Sequence, residues 1–263
     1  MIKVHVVNAA QLNLERGLRI ESPDAKPLLE LLPSNEDEKA TLVAMARKVG
    51  LKRAGSAPFS TQVATILMHT IRQWIEGKSV LVALCSSSGP ASVAFQFETA
   101  GMSSGWATAD PFWLQNTLPS FGASAIVNAL SLRGQALGFS SDHSGIFSGL
   151  YHSAIALEAK RIEVAVIVVA EDGFNFLPAS NIGIPKVWKG GLALILCKPD
   201  LLIDSNILEV SVQNSLSNLP TRPAKGYILL SDVFEAMQKG ITYNRFYTDI
   251  GQVSYSCRFG IPK

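Results

Sequence analysis

The run V-A-V-I-V-V-A at residues 164–170, closed by Glu171, narrows most sharply what this chain can fold into. It is too short to cross a bilayer, and its unbroken apolar, β-branched character suits a strand covered on both faces of a sheet. Two further runs, S-V-L-V-A-L-C at 79–85 and G-G-L-A-L-I-L-C at 190–197, read the same way. Between them the period changes. Val63, Ile66, Leu67, Ile71, Trp74 and Ile75 recur at three and four positions, which predicts an amphipathic helix over 59–76 that Gly77 stops. Pro90 fits the first turn of a helix running to about residue 100, where the stretch 101–105 breaks it. A further helix is expected over about 121–130 after Pro119, with Gly134 as the turn into a strand at 136–140. Strand alternating with helix predicts an α/β layered fold around a mostly buried sheet.

The flanks are less explicit. Residues 3–8 alternate as a strand, with His5 at an edge-like position, and the polar stretch after them ends at Leu31 and Leu32. Ser34 and Asn35, three positions before Asp37 and Glu38, are capping-box candidates for a helix through Val49. Residues 50–58 form a basic connection containing Gly and Pro. After Asp200 the pattern gives a strand near 208–212, a helix near 229–239 and a last strand near 253–259. No solenoid repeat or low-complexity tract is visible.

Composition narrows the function classes. Of 263 residues 48% are hydrophobic and 17% charged, so the apolar surplus must enter a large core or a partner interface. A net charge of +2 with no basic cluster gives no case for nucleic acid. No membrane span is expected, and the opening M-I-K-V-H-V-V-N lacks a signal peptide's apolar core and cleavage site, which makes a cytoplasmic location the expectation. Cys85, Cys197 and Cys257 are widely separated and suggest neither a metal site nor a disulfide framework. No cofactor fingerprint surrounds Gly89, Gly190 or Gly191.

The place for chemistry is the polar elbow Ser140-Ser141-Asp142-His143-Ser144, between the strand at 136–140 and a helix striped with Gly145, Gly149 and Ser153. Glycine weakens a helix by about 1 kcal/mol relative to alanine, so the stripe predicts another element in close approach. A helix N-terminus stabilises a thiolate and disfavours a protonated histidine, so a neutral His143 can act as a base or simply as a hydrogen-bonded cap residue. For Ser141, Asp142 and Ser144 helix capping is the default reading. Cys85 ends a buried strand and His69 sits among apolar residues of a helix; both read as structural. For Phe112, Trp113, Phe121, Phe139 and Phe147 filling the core is the default reading.

Residues 110–134, D-P-F-W-L-Q-N-T-L-P-S-F-G-A-S-A-I-V-N-A-L-S-L-R-G, followed by strand, elbow, buried helix and V-A-V-I-V-V-A-E, and then V-W-K-G-G-L-A-L-I-L-C-K at 187–198, resemble in order and spacing the N-terminal half of β-ketoacyl synthases. The likeness covers roughly residues 79–198. It implies a thiolase-like layered fold: a single truncated ketosynthase-like domain over 1–263, with a core of about 59–200 and residues 201–263 as additional cover. The departures set the functional expectation. In register from Leu132-Arg133-Gly134 the family's nucleophilic cysteine falls on His143, or on Asp142 if shifted by one, and no histidine follows His152. The elbow at Ser141, Asp142, His143 and Ser144 is therefore read as degenerate, with no catalytic residue expected and no metal or cofactor. The resemblance implies a non-catalytic subunit similar to the chain-length factors of type II polyketide systems. Such a subunit pairs with a full-length ketosynthase, shapes the acyl tunnel with Phe112, Trp113, Phe121, Phe139 and Phe147 as tunnel or interface candidates, and meets an acyl carrier protein. The alternative is a stand-alone acyl-thioester transferase or hydrolase that uses the Ser-Asp-His elbow.

Overall fold

The computed structural model describes residues 2–13, 18–23, 27–32, 37–86, 90–140, 145–172, 189–198, 206–214, 226–240, 243–248 and 253–260. Their framework is one mixed sheet. Its strands are β1 (Ile2–Asn13), β2 (Leu18–Glu21), β3 (Pro27–Leu32), β4 (Ser79–Ser86), β5 (Arg133–Ser140), β6 (Val164–Asp172), β7 (Lys189–Cys197), β8 (Asn206–Asn214), β9 (Tyr243–Thr248) and β10 (Val253–Gly260). They lie in the order β5-β4-β6-β7-β1-β8-β10-β9, with β2 on the end of β1 and β3 on β2. Only β5, β4 and β6 run parallel to their neighbours; from β7 onward every pairing is antiparallel.

The three apolar runs are the middle of this sheet, and their alternation divides the core in two. Leu81, Ala83 and Cys85 of β4, Ala165, Ile167 and Val169 of β6, and Leu192, Leu194 and Leu196 of β7 face α6 (Gly145–Glu158) and α7 (Gly226–Lys239). Val80, Val82, Leu84, Val164, Val166, Val168, Ala193 and Ile195 face α1 (Glu38–Lys48), α2 (Phe59–Thr70) and α5 (Pro119–Ala129). Both faces are covered, which is why these strands read as continuous apolar runs. Each fully buried Leu, Ile or Val contributes about 1.5–3 kcal/mol of apolar transfer. α7 packs on α6 through Leu230, Val233 and Phe234, which join the same core cluster. Two remaining helices, α3 (Ala91–Ser104) and α4 (Pro111–Asn116), stand outboard of α5.

Several boundaries move. Asp37 itself caps α1, accepting from the Lys39 and Ala40 amides at 3.0 and 3.3 Å, in place of Ser34 or Asn35, which lie outside the described residues. α2 ends at Thr70, and residues 72–74 tighten into a 3-10 turn. Gly101 lies inside α3 beneath the Trp106 ring, and Gly105 ends that helix. Gly134 pairs with Val80 within β5, so the turn falls earlier, at Ser131, whose φ is 52°. His5 is not on an edge: β1 lies between β7 and β8, and His5 is 6% exposed. His69 is exposed in the last turn of α2, not packed among apolar residues. β2, β3 and β9 were not expected. They are short segments whose apolar residues are broken by charged or polar ones, β2 and β3 only extending one end of β1 and β9 standing at the far edge of the sheet order.

Candidate functional site

The parallel strands β5, β4 and β6 bring their carboxyl ends to one place. Ser140 ends β5 beside Ser86, the last residue of β4, and Glu171 sits at the matching end of β6. Such a carboxyl end is where α/β folds place their ligands. Of the expected site residues, Ser141, Asp142, His143 and Ser144 lie outside the described residues; the strand before them and the helix after them are described.

Beneath the elbow the packing is close. A Cβ on Gly149 would stand 2.9 Å from Cys85 Sγ, so the glycine stripe of α6 is explained by the approach of β4 to the helix. The Cys85 thiol lies 3.7 Å from the Gly145 carbonyl and is 1% exposed. Burial, and secondarily the Glu171 charge, push its pKa far above the ordinary thiol range. Cys85 is therefore a protonated thiol at neutral pH and cannot stand in for a thiolate nucleophile. Burial also raises the Cys197 pKa, only partly countered by Lys78.

Glu171 and Ser86 were not singled out in the sequence. The Ser86 hydroxyl donates to Glu171 Oε2 at 3.0 Å, and both residues are buried. The available signal was position: a carboxylate directly after an apolar strand lands at the sheet's carboxyl end. His152 points outward from α6, with its Nδ1 2.8 Å from the Ser148 carbonyl oxygen and its ring against Phe139 and Tyr151. Among the described residues no group of three His, Cys, Asp or Glu could hold a metal ion, and no helix is long and apolar enough to cross a membrane.

The five aromatic candidates do not share one wall. Phe147 is fully buried in the core under α6. Phe139, half-buried, lines a narrow cleft with Leu84, Leu118 and Pro119. Phe112 and Phe121 line one cavity, of about 550 Å³, and Trp113 another, of about 320 Å³.

The edge of the sheet is built differently from its middle. β5 is the first strand, and among the described residues nothing pairs with its outer side. The N-terminus of α5 rests directly on it: a Cβ on Gly138 would stand 2.3 Å from the Pro119 carbonyl. Phe95 of α3, Trp106 just after it, Leu114 of α4 and Leu118 before α5 are more than half exposed, and Met102 of α3 is 84% exposed. Between Lys78 and Arg133 the only charged residues are Glu98 and Asp110. Exposed apolar surface with so little charge marks an interaction site.

No protein-family model matches the sequence, and no curated protein does either. Solved structures do match. A chain from the AntDE:AntF complex, a type II polyketide synthase acyl-carrier protein with its ketosynthase bound to the hexaketide, aligns over 100% of both chains at 11% identity and a TM-score of 0.64. A β-ketoacyl synthase from Burkholderia phymatum aligns over 100% of both chains at 10% identity and a TM-score of 0.62. The chain has the thiolase-like fold of the β-ketoacyl synthases. A chain from the complex of a ketosynthase (ApeO) with its chain length factor (ApeC) from Xenorhabdus doucetiae aligns over 98% of this chain and 99% of that one, at 11% identity and a TM-score of 0.58. All three alignments run end to end over both chains.

Proposed function

We propose that this chain is a non-catalytic, chain-length-factor-like subunit that pairs with a full-length, cysteine-bearing ketosynthase and shapes the tunnel for an acyl chain carried on an acyl carrier protein. The observation that carries this reading is the open outer edge of β5 with its apolar, charge-poor shoulder on α3, α4 and α5. An edge strand exposes a row of backbone donors and acceptors that a strand from another chain can complete, and exposed Leu118 and Leu114 beside it offer apolar area to the same partner. The sequence supports the non-catalytic half of the reading, because His143 and Asp142 stand where the family's nucleophile falls by register. The one described cysteine close to the elbow, Cys85, is held protonated. Phe139, which shares its cleft with Leu118, is the tunnel or interface candidate nearest that edge.

The test is co-expression with full-length ketosynthases, followed by sizing. A one-to-one complex is expected, and Leu118→Asp should abolish it while leaving the subunit folded. Leu118 is the N-cap of α5 and makes no side-chain capping bond, so an aspartate there gains a cap, worth about 1 kcal/mol, while placing a charge on the shoulder. A chain that stays monomeric beside every ketosynthase tried sinks the reading. So does hydrolysis of acyl thioesters by the isolated chain that is lost in His143→Ala, which would establish the stand-alone enzyme instead.

A further inference from the structure

The cavity of about 550 Å³ lies away from the elbow, between the loop that follows α1 and the outer sides of α4 and α5. Its walls are pinned by two close contacts. Gly50, at φ 101°, lies so near the end of α5 that an added Cβ would stand 2.6 Å from the Ala129 carbonyl oxygen. Sixty positions along the chain, buried Asn116 donates its Nδ2 to the Ser56 carbonyl at 2.9 Å, tying α4 to the same loop. The cavity is thus formed by packed elements, as ligand sites are.

The loop presents charge to this space in an unusual way. Arg53 adopts the left-handed conformation, φ 53° and ψ 40°, which costs an L-residue free energy and is sustained only where the surroundings impose it. Its guanidinium carbon lies 3.2 Å from the centroid of the Phe112 ring, and no carboxylate pairs with it among the described residues. Lys52 stands beside it, and the described lining contains no Asp or Glu. The rest of the wall mixes Leu51, the partly exposed Phe121 and alanines with the uncharged polar Ser56, Ser124 and Asn128. Two cations with no counter-charge among the described residues, an aromatic side chain at Phe121 and polar groups at Asn116 and Asn128 suit a ligand with an anionic group at one end and a flat body.

We propose that this cavity binds a small aromatic anion, its carboxylate or phosphate held by Arg53 and Lys52 and its ring seated against Phe121 and Leu51. The site uses neither β5 nor the elbow, although α4 and α5, which wall it, also carry the shoulder of the proposed interface. Two sources carry this chemistry, a free aromatic acid and a mononucleotide, and calorimetric titration of the full chain with 2-naphthoate and with AMP separates them. One saturable site per chain is expected for at least one of the two probes. Arg53→Gln should weaken it by about tenfold or more, since it removes a charge-assisted contact. Ser124→Trp, at an exposed position of the cavity wall, should block it without touching the charges. Lys52→Gln, at an exposed loop position, repeats the charge test should Arg53→Gln disturb the loop. Uncharged 2-naphthamide should bind about tenfold or more weakly than naphthoate. Absence of saturation by both probes in the millimolar range overturns the proposal. Equal binding of the amide, or binding unchanged in both Arg53→Gln and Ser124→Trp, overturns it as well.

Discussion

At the carboxyl ends of β4 and β6, Cys85, Ser86 and Glu171 are withdrawn from water and set against partners, polar groups included, whereas apolar Leu114 on α4 and Leu118 at the start of α5 are left in solvent. Both regions flank the same strand ends. The buried one has the packing of an interior, with a glycine on α6 to admit the Cys85 sulfur. The open one has the composition of an interior without its cover.

That contrast can be broken by measurement. Phe147→Ala, in the closed region, should cost about 3–5 kcal/mol of unfolding free energy, because a fully buried ring leaves a cavity that α6 and β4 cannot refill. Denaturant titration reads it directly, and a cost under about 1 kcal/mol would mean that this core is looser than drawn. Next in size, the Cys85 thiol should react with an aromatic disulfide at neutral pH about a hundredfold more slowly than a free cysteine, and only as the fold opens. Reaction in a Cys197→Ser, Cys257→Ser background at the rate of an exposed thiol would show that the elbow is not closed. On the open side Leu118→Asp should leave stability unchanged or raised by about 1 kcal/mol, however strongly it affects partner binding.

The smallest effect concerns the opposite end of the same strands. Glu163 accepts the Ser79 amide at 2.7 Å and the Ser79 hydroxyl at 3.2 Å, joining the starts of β4 and β6. These bonds, the amide's first, hold its carboxyl below the usual carboxylate range. A folded-state value below the unfolded one means that the stabilisation is complete above the unfolded value of about 4.5 and is lost as pH falls through the lowered folded value. Glu163→Gln should therefore flatten the acid side of a stability-against-pH curve and change little at pH 7. An unaltered acid limb would assign the loss to other carboxylates.

The sequence discloses the middle of this sheet better than its ends, for a physical reason. β4, β6 and β7 are covered on both faces, so their apolar runs are uninterrupted and legible without a partner. β2 and β3 form a hairpin at the far end of β1, and their short apolar stretches, broken by Arg19, Glu21 and Glu30, carry no period long enough to tell a strand from a loop. His5 was misplaced because β8, the strand that covers its other side, arrives long after it in the chain. The elbow was legible as a position, from the glycine stripe and the register after Gly134. Its buried companions were not, since pairing Ser86 with Glu171 depends on two strands joining side by side, which neither strand encodes alone.

The place of β1 has a kinetic consequence. It runs through the interior of the sheet: its first half, residues 2–6, pairs with β8, its run over residues 5–13 pairs with β7 on the other side, and Gln11, Leu12 and Asn13 also meet β2. Neither β7 nor β8 exists until the chain has grown past residues 189–214. Val4, Val6 and Ala9, all fully buried at the end, must wait through most of synthesis without their neighbours. Contacts of such long sequence separation make folding slow and leave an apolar strand open to mispairing in the meantime. β1, made long before β7 and β8, is thus secured only after them.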